Sequence, residues 1–465
     1  MAGPPALRPP EARSGGHEYF VEVEANARAG DLGTPGRRVS TGSPGITPEM
    51  SSFQAARRYT RHPGRLAPTL EVRNTGFDIL LFWFWDDWGK YGRSYEKIAS
   101  HLATLPEVDQ VVCVFPPEVV DDPGGSIGVW ERRLSPKLAL LTERIAPPAP
   151  GAGPLARIRG RARRWTETRA LHRYHDARGF TPERTILWMF PPHPYIERLR
   201  MVVPHRLAVA HVIDDFTKFD RSTLLYRHAM DQYPSIGQWA DVIFTASEAN
   251  RVRFATAGVP CHLFPQAVDE CFIATPSELP HRATGARPRL GYVGYIMERT
   301  DLALMRAVAA RRPDWDLVLV GPEFPEGYVK ASGLLERPNV RWLGERPNVE
   351  IPGFLQSLDV CLMPHLDNEY SRSMAPLKIY QYLGSGRPVV STRVAGIDFA
   401  GDHVRVAGDA AEFAAHVQDC LDHDRIEHSA ARIDIVRTET WRVRVGEMLR
   451  TATRAGGGSA ERGLG

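Results

Sequence analysis

The sequence predicts an α/β protein made of two Rossmann-like halves. Short, continuous apolar runs recur along the chain: FDILLFWFW, VDQVVCVF, RTILWMF, RLAVAHVID and DVIFTAS, then RLGYVGY, DLVLVGP, DVCLM and PVVS. They are bounded by Pro, Gly or polar loops and separated by helix-length segments, as strands buried on both faces of a parallel sheet require. A Pro/Ala/Arg-rich stretch, ATPSELPHRATGARP (274–288), divides the two series and reads as an interdomain linker.

The first 70 or so residues are rich in Pro, Gly, Arg and Ser without periodicity, and are expected to be disordered, because they cannot bury enough apolar surface to offset ordering entropy. Phe77–Trp85 is the first strand, followed by the loop DDWGKYGRS, a helix over about Ser94–Thr104 and a second strand at Val108–Phe115. Asp86, Asp87, Gly89, Gly92 and Arg93 thus lie just past a strand's carboxyl end, where open α/β sheets bind ligands. Ordinary turn chemistry would account for the same residues. Three further strands follow at Arg184–Phe190, Arg206–Asp214 and Asp241–Ser247. Asp214 and Asp215 fall at a strand end, as a proton acceptor or as helix caps. His193, between prolines, has no partner identifiable in the sequence.

The second half repeats the alternation: Arg289–Tyr295, a helix at Asp301–Arg311, Asp316–Pro322, Asn339–Gly344, a helix at Ile351–Leu358, and then the stretch from Asp359 to Thr392. That stretch reads as strand Val360–Met363, polar loop Pro364–Ala375, a helix opening at Pro376, and strand Pro388–Ser391. A loop at a strand's carboxyl end feeding a helix N-terminus attracts anions, and Lys378 adds a cation one turn in. A phosphate-bearing ligand is expected there. HVRVAG, a helix over about Ala410–Leu421 and an amphipathic segment Arg432–Thr453 complete the chain before the Gly-rich tail.

Composition narrows the class. With 465 residues, 43% hydrophobic and 24% charged, the chain has the makeup of a globular protein with two or three cores. A net charge of +3 does not imply nucleic acid, and no nucleic-acid-binding module is recognisable. Cys113, Cys261, Cys271, Cys361 and Cys420 lack CxxC spacing and read as free thiols of a reducing compartment. With neither a membrane-length apolar run nor the apolar core of a signal peptide, the expected location is cytoplasmic. Arg157–Arg178 lies in a strongly basic segment with Trp165, Leu171 and Tyr174 on an apolar side. It reads as a peripheral contact with lipid phosphates or as a solvated helix face.

YVGYIMERTDLALM, PDWDLVLVGP, RPNVRWLGERP, DVCLMPH and above all APLKIYQYLGSGRPVVST resemble the donor half of GT-B glycosyltransferases, in particular bacterial enzymes of teichuronic-acid and exopolysaccharide synthesis. AHVIDDFTKF and ADVIFTASEA resemble the matching segments of the other half, more loosely. The resemblance spans about residues 77–450 and implies two Rossmann-like domains facing a central cleft. Together with the composition of the two ends, it divides the chain into a disordered extension 1–72, an acceptor domain 73–275, a donor domain 276–428, a helix 429–453 packing across both, and a flexible tail 454–465. The implied substrates are a nucleotide-sugar, with uridine favoured, and a glycan or lipid-linked acceptor. No metal is implied, since side chains and helix dipoles neutralise the diphosphate.

Residue by residue, the resemblance puts Lys378 at the donor phosphates or sugar, and Gly294 and Arg299 in the phosphate-side loop, where a lysine common in relatives is missing. His365, Met374 and Pro376 complete the pocket wall. Gln381 and Ser373 stand where relatives carry glutamates for the ribose and the donor sugar, so the usual retaining mechanism is in doubt. The Lys378–Gln381 spacing resembles instead the inverting xanthan glucuronosyltransferase. An inverting reaction needs a base: Asp214 first, with Asp86, Asp87 or Asp215 as rivals. Two alternatives share the fold, a nucleotide-sugar epimerase and a catalytically silent scaffold.

Overall fold

Each half of the chain folds around its own sheet. The computed structural model describes residues 60–61, 76–120, 127–147, 168–280 and 285–457, all within one compact unit, Arg58–Gly465. In the first domain the strands are β1 (Thr60–Arg61), β2 (Phe77–Phe82), β3 (Val108–Val114), β4 (Glu118–Val119), β5 (Gly128–Arg133), β6 (Leu138–Ile145), β7 (Thr185–Met189), β8 (Leu207–Val212), β9 (Val242–Thr245) and β10 (Cys261–Leu263). Their order is β1-β5-β6-β3-β2-β7-β8-β9-β10, with β4 beside β6. The second sheet holds β11 (Arg289–Val293), β12 (Asp316–Val320), β13 (Val340–Trp342), β14 (Val360–Met363), β15 (Val389–Thr392) and β16 (Val404–Ala407). Its order is β13-β12-β11-β14-β15-β16 and every pairing is parallel, the doubly wound arrangement whose order reverses between β11 and β14.

The apolar runs dictate this arrangement. Ile79–Phe82, Val111–Val114, Ile186–Met189 and Leu207–Val212 are wholly buried, the polar His211 included, so neither face of the central sheet meets water. Polar residues start the helices: the Asp301 carboxylate accepts from the Leu304 amide at 2.8 Å, and Ser247 from the Asn250 amide at 3.3 Å.

Several expectations are corrected. The antiparallel hairpin of β5 and β6 and the short edge strand β1 were not anticipated. Glu131 and Glu143 are buried in that hairpin, paired with Arg178 at 3.0 Å and Arg198 at 3.2 Å, and such charges mask the apolar pattern of a strand. The crossing into the second domain comes before the 274–288 linker, since Val268 and Phe272 already pack in the second core. Ala274 and Leu279, within the expected linker, are themselves buried with Ile433. The expected single segment 432–453 is two helices, breaking at residues 438–440. Of the helices that matter below, α1 is Ser94–Leu102, α2 Leu302–Arg311, α3 Leu377–Gly384, α4 Ile426–Arg437 and α5 Trp441–Gly457. Helix α4 packs on α3, whereas α5 returns to the first domain and sinks Trp441, Val445, Met448, Leu449 and Ala452 into its core. The return is tied by a parallel bridge between Val268 and Thr440.

Of the expected disordered extension 1–72, only Thr60–Arg61 is described, and it pairs with β5; the rest lies outside the described residues. Of the expected flexible tail 454–465, residues 454–457 continue α5. Residues 155–167 of the basic segment also lie outside. Residues 168–177 form a helix whose apolar side faces inward, with Leu171 and Tyr174 in the first core. Among the described residues no helix is long and apolar enough to cross a membrane. All five cysteines are free; Cys113 and Cys361 are buried and Cys271 is exposed.

Candidate functional site

The carboxyl edges of the two sheets meet, and the loops leaving β2, β8, β11 and β14 touch across the junction. Tyr91 of the first domain packs edge-on against Tyr295 of the second at 5.5 Å. Phe219 meets Tyr370 at 4.8 Å, and Lys218 pairs with Glu369 at 2.7 Å. Gly92 approaches so closely that a Cβ there would stand 2.8 Å from the Asn348 side chain. Its φ of +60° also suits glycine.

Lys378 lies at the centre of this edge. Helix α3 starts at Leu377, and Pro376 is its N-cap in an extended conformation, one position earlier than expected. That places Lys378 in the first turn, reaching back over the carboxyl end of β11. Its Nζ sits 5.2 Å from the centre of the Tyr292 ring. A Cβ at Gly294, whose φ is +136°, would collide with this side chain. Lys378 makes no hydrogen bond or ion pair among the described residues. Burial pushes its ammonium down to about 7, with Arg299 and then Arg93 adding repulsion. A partly buried cation without a counter-ion, beside other cations, favours the approach of an anion.

Arg299 donates to the Tyr370 hydroxyl at 3.0 Å, while its Nε has no partner. The same hydroxyl lies beside the Asp214 carboxyl, across the domain junction. Tyr370 is therefore bonded to a cation of its own domain and packed on Phe219 of the other, next to Asp214. Burial raises the Asp214 carboxyl above its ordinary value, against the pull of Arg299, Arg93 and Tyr370. The Tyr233 hydroxyl anchors Asp214 by donating to its backbone carbonyl at 3.0 Å. His365, buried behind the β14 end, has no hydrogen bond at either ring nitrogen. Burial, together with Lys378 and Arg299, holds it neutral, well below the ordinary histidine range.

Other expected site residues have local duties. Asp215 is not a free carboxylate: it is buried, pairs with Arg253 at 2.9 Å and caps a short helical turn through the Thr217 amide. Asp87 is likewise committed, to Arg93 at 2.9 Å and to the Tyr95 hydroxyl at 2.9 Å. Ser373 gives its hydroxyl to the Tyr370 carbonyl and Met374 is buried, so both shape the loop. Gly89 donates its amide to Glu96 in a turn. Asp86 is exposed past the end of β2 and Gln381 is partly buried on α3. His193 accepts the Tyr195 amide at Nδ1 and lies 5.3 Å from the Phe82 ring, near the end of β7.

Sequence reasoning missed the tyrosines. Tyr370, Tyr292, Tyr295 and Tyr382 read there as loop or core residues. The only available signal was a large aromatic in the otherwise polar loop DNEYSRS. Tyr382 binds the backbone of β11 from α3, accepting from the Val293 amide at 2.9 Å and donating to its carbonyl at 3.1 Å. It thereby sets the height of Gly294 beneath Lys378. Among the described residues no group of three or more His, Cys, Asp or Glu side chains is arranged to hold a metal ion.

Two facing Rossmann-like domains with the site at their apposed carboxyl edges define the GT-B architecture. Solved structures share it. Sucrose-phosphate synthase of Thermosynechococcus elongatus superimposes with a TM-score of 0.59 at 16% identity, covering 81% of this chain and 98% of that one. An α,α-trehalose 6-phosphate synthase of Burkholderia multivorans does so at 0.59 and 12% identity, covering 83% and 100%. Anabaena HepE, solved in complex with UDP and glucose, gives 0.56 and 14%, covering 81% and 100%.

More particularly, residues 287–423, within the second domain, match the family described as Glycosyl transferases group 1. TuaH of Bacillus subtilis, whose name assigns it to teichuronic acid biosynthesis as a glycosyltransferase, is 29% identical over 163 residues, 33% of this chain. The match spans 40% of TuaH.

Proposed function

We propose that the protein is a glycosyltransferase that moves a sugar from a nucleoside-diphosphate sugar, UDP-linked, to a hydroxyl of a glycan or lipid-linked acceptor. One observation carries the reading: the unpaired Lys378 in the first turn of α3, beside Arg299 and over Gly294, at the reversal point of the second sheet. The group 1 match and the name of TuaH support the same reaction class.

In this reading the diphosphate lies against the start of α3. As the bond from the anomeric carbon to the diphosphate oxygen breaks, negative charge grows on the leaving group, and Lys378 and Arg299 stabilise it. The acceptor oxygen bonds to the anomeric carbon and loses its proton to Asp214, whose raised carboxyl suits a base. The nucleoside diphosphate then leaves. Side-chain cations rather than a metal neutralise the diphosphate, and the sugar is a hexose or hexuronic acid. A peripheral contact at the cytoplasmic membrane face through basic residues of the 157–178 segment other than Arg178, which Glu131 holds, would give access to a lipid-linked acceptor.

Release of nucleoside diphosphate, measured over a panel of nucleotide-sugars with and without lipid-linked or oligosaccharide acceptors, tests the proposal. Release that requires acceptor is expected. Conversion of donor to a free isomeric nucleotide-sugar would identify an epimerase, and absence of both release and nucleotide binding would identify a silent scaffold.

A further inference from the structure

We infer that Arg93, carried by the first domain, is a third ligand of the donor's diphosphate, so that the anion cradle is complete only when the two domains are apposed. The inference rests on the nucleotide-sugar reading above and adds to it a phosphate contact from the opposite domain.

Arg93 precedes α1, at the end of the loop leaving β2. Its Nε donates to Asp87 at 2.9 Å, and Asp87 is itself held by the Tyr95 hydroxyl. That chain fixes the plane of the guanidinium with one of its five N–H donors. The terminal nitrogens make no hydrogen bond among the described residues. Instead three aromatic rings wall the group in, with centres 5.3 Å away at Trp85, 5.1 Å at Tyr91 and 5.7 Å at Tyr295.

Tyr295 belongs to the second domain and follows Gly294 directly. The guanidinium therefore crosses the junction and stands over the phosphate-side loop. Its charge is felt on both sides: it contributes to the depressed proton affinity of Lys378 and pulls on Asp214 and Tyr370. Three cations thus converge, Arg93, Arg299 and Lys378, on a junction where Asp87 is already paired with Arg93 and Asp214 is the other neighbouring carboxylate. Like charges brought together at a domain junction oppose its closure. A diphosphate relieves that repulsion, and a guanidinium with free terminal nitrogens matches two phosphate oxygens side by side. The surrounding rings and the bond to Asp87 limit how the guanidinium can turn.

Isothermal titration of the full-length protein with UDP and GDP, and with UMP and GMP, tests this. Arg93→Gln should weaken the diphosphate of the preferred base by about tenfold to a hundredfold, the worth of a charged hydrogen bond, and change the monophosphate less than about threefold. Arg93→Lys keeps the charge but not the fork, and should lose at least about fivefold for the diphosphate alone. Thermal melting of each variant confirms that it is folded. Should Arg93→Gln be unstable, Arg93→Lys decides. Diphosphate affinity equal to that of the unaltered protein, or equal loss of diphosphate and monophosphate, overturns the role of Arg93. If the unaltered protein binds none of the four nucleotides, the nucleotide-sugar reading falls and this inference with it.

Discussion

Lys378 offers the sharpest test of the site, because its charge depends on what binds. Its ammonium is pushed down to about 7 by burial and by two neighbouring cations. A bound diphosphate reverses the dominant repulsion and returns the group towards its ordinary 10.5. The proton affinity is lower in the free protein than in the complex, so ligand favours the protonated form. Affinity is therefore full below pH 7 and declines as pH rises, approaching about tenfold per pH unit between pH 8 and 9. Binding should take up about 0.5 proton at pH 7 and about 0.9 at pH 8. Calorimetry with UDP in two buffers of different ionisation enthalpy measures that uptake, and pH 8 lies clear of the phosphate's own titration near ~6. Lys378→Arg keeps its charge at every pH, so its affinity should be flat and its proton uptake near zero. Lys378→Met should bind weakly at all pH values. The same substitution should raise the Tm of the unliganded protein, because removing a partly buried, unpaired cation relieves about 1–2 kcal/mol after solvent screening, some ~1–2 °C for a chain of this size. Zero proton uptake in the unaltered protein, or a pH profile identical to that of Lys378→Arg, would refute the reasoning.

Two adjacent aspartates should behave oppositely. Asp214→Asn should lower kcat by about 10²–10⁴-fold with donor affinity little changed. In the unaltered protein the rate should fall on the acid side at a pH above the ordinary aspartate range, since burial raises this carboxyl and a base must be deprotonated to act. An unchanged kcat would exclude Asp214 as the base and favour a retaining reaction. Asp215→Asn breaks the pair with Arg253 and should cost about 1–3 kcal/mol of stability in a denaturant titration, while the folded fraction keeps its turnover. Tyr382→Phe leaves the Val293 amide and carbonyl without their side-chain partner and should cost about 1–3 kcal/mol. It should also weaken nucleotide binding through the displaced Gly294, and a variant matching the unaltered protein in both assays would remove Tyr382 from the site's support.

The sequence by itself determined the two sheets and the place of the Lys378 helix at the edge of the second one. Runs such as Ile79–Phe82 and Val360–Met363 are buried on both faces, and an unbroken apolar run bounded by turn residues has few other solutions. Pro376 and Lys378 marked a helix start at a strand's carboxyl end, and the structure puts them there, one residue out of register. Local chemistry was enough because each of those signals involves residues within a few positions of one another. The hairpin of β5 and β6 was illegible for the opposite reason. Glu131 and Glu143 look like surface residues until Arg178 and Arg198, more than forty positions away, come to meet them. Only the tertiary structure could separate Asp214 from Asp215, since both fit a cap or a base until Arg253 claims one of them. The Tyr370 contacts, the Tyr382 support and the rings around Arg93 were hidden in the same way. An aromatic hydroxyl or a guanidinium acquires its role from partners that chain folding, not chain order, brings within 3 to 6 Å. The final helix shows this most plainly: its apolar stripe was visible in the sequence, but its packing on the first domain follows from the crossing at Val268 and Thr440.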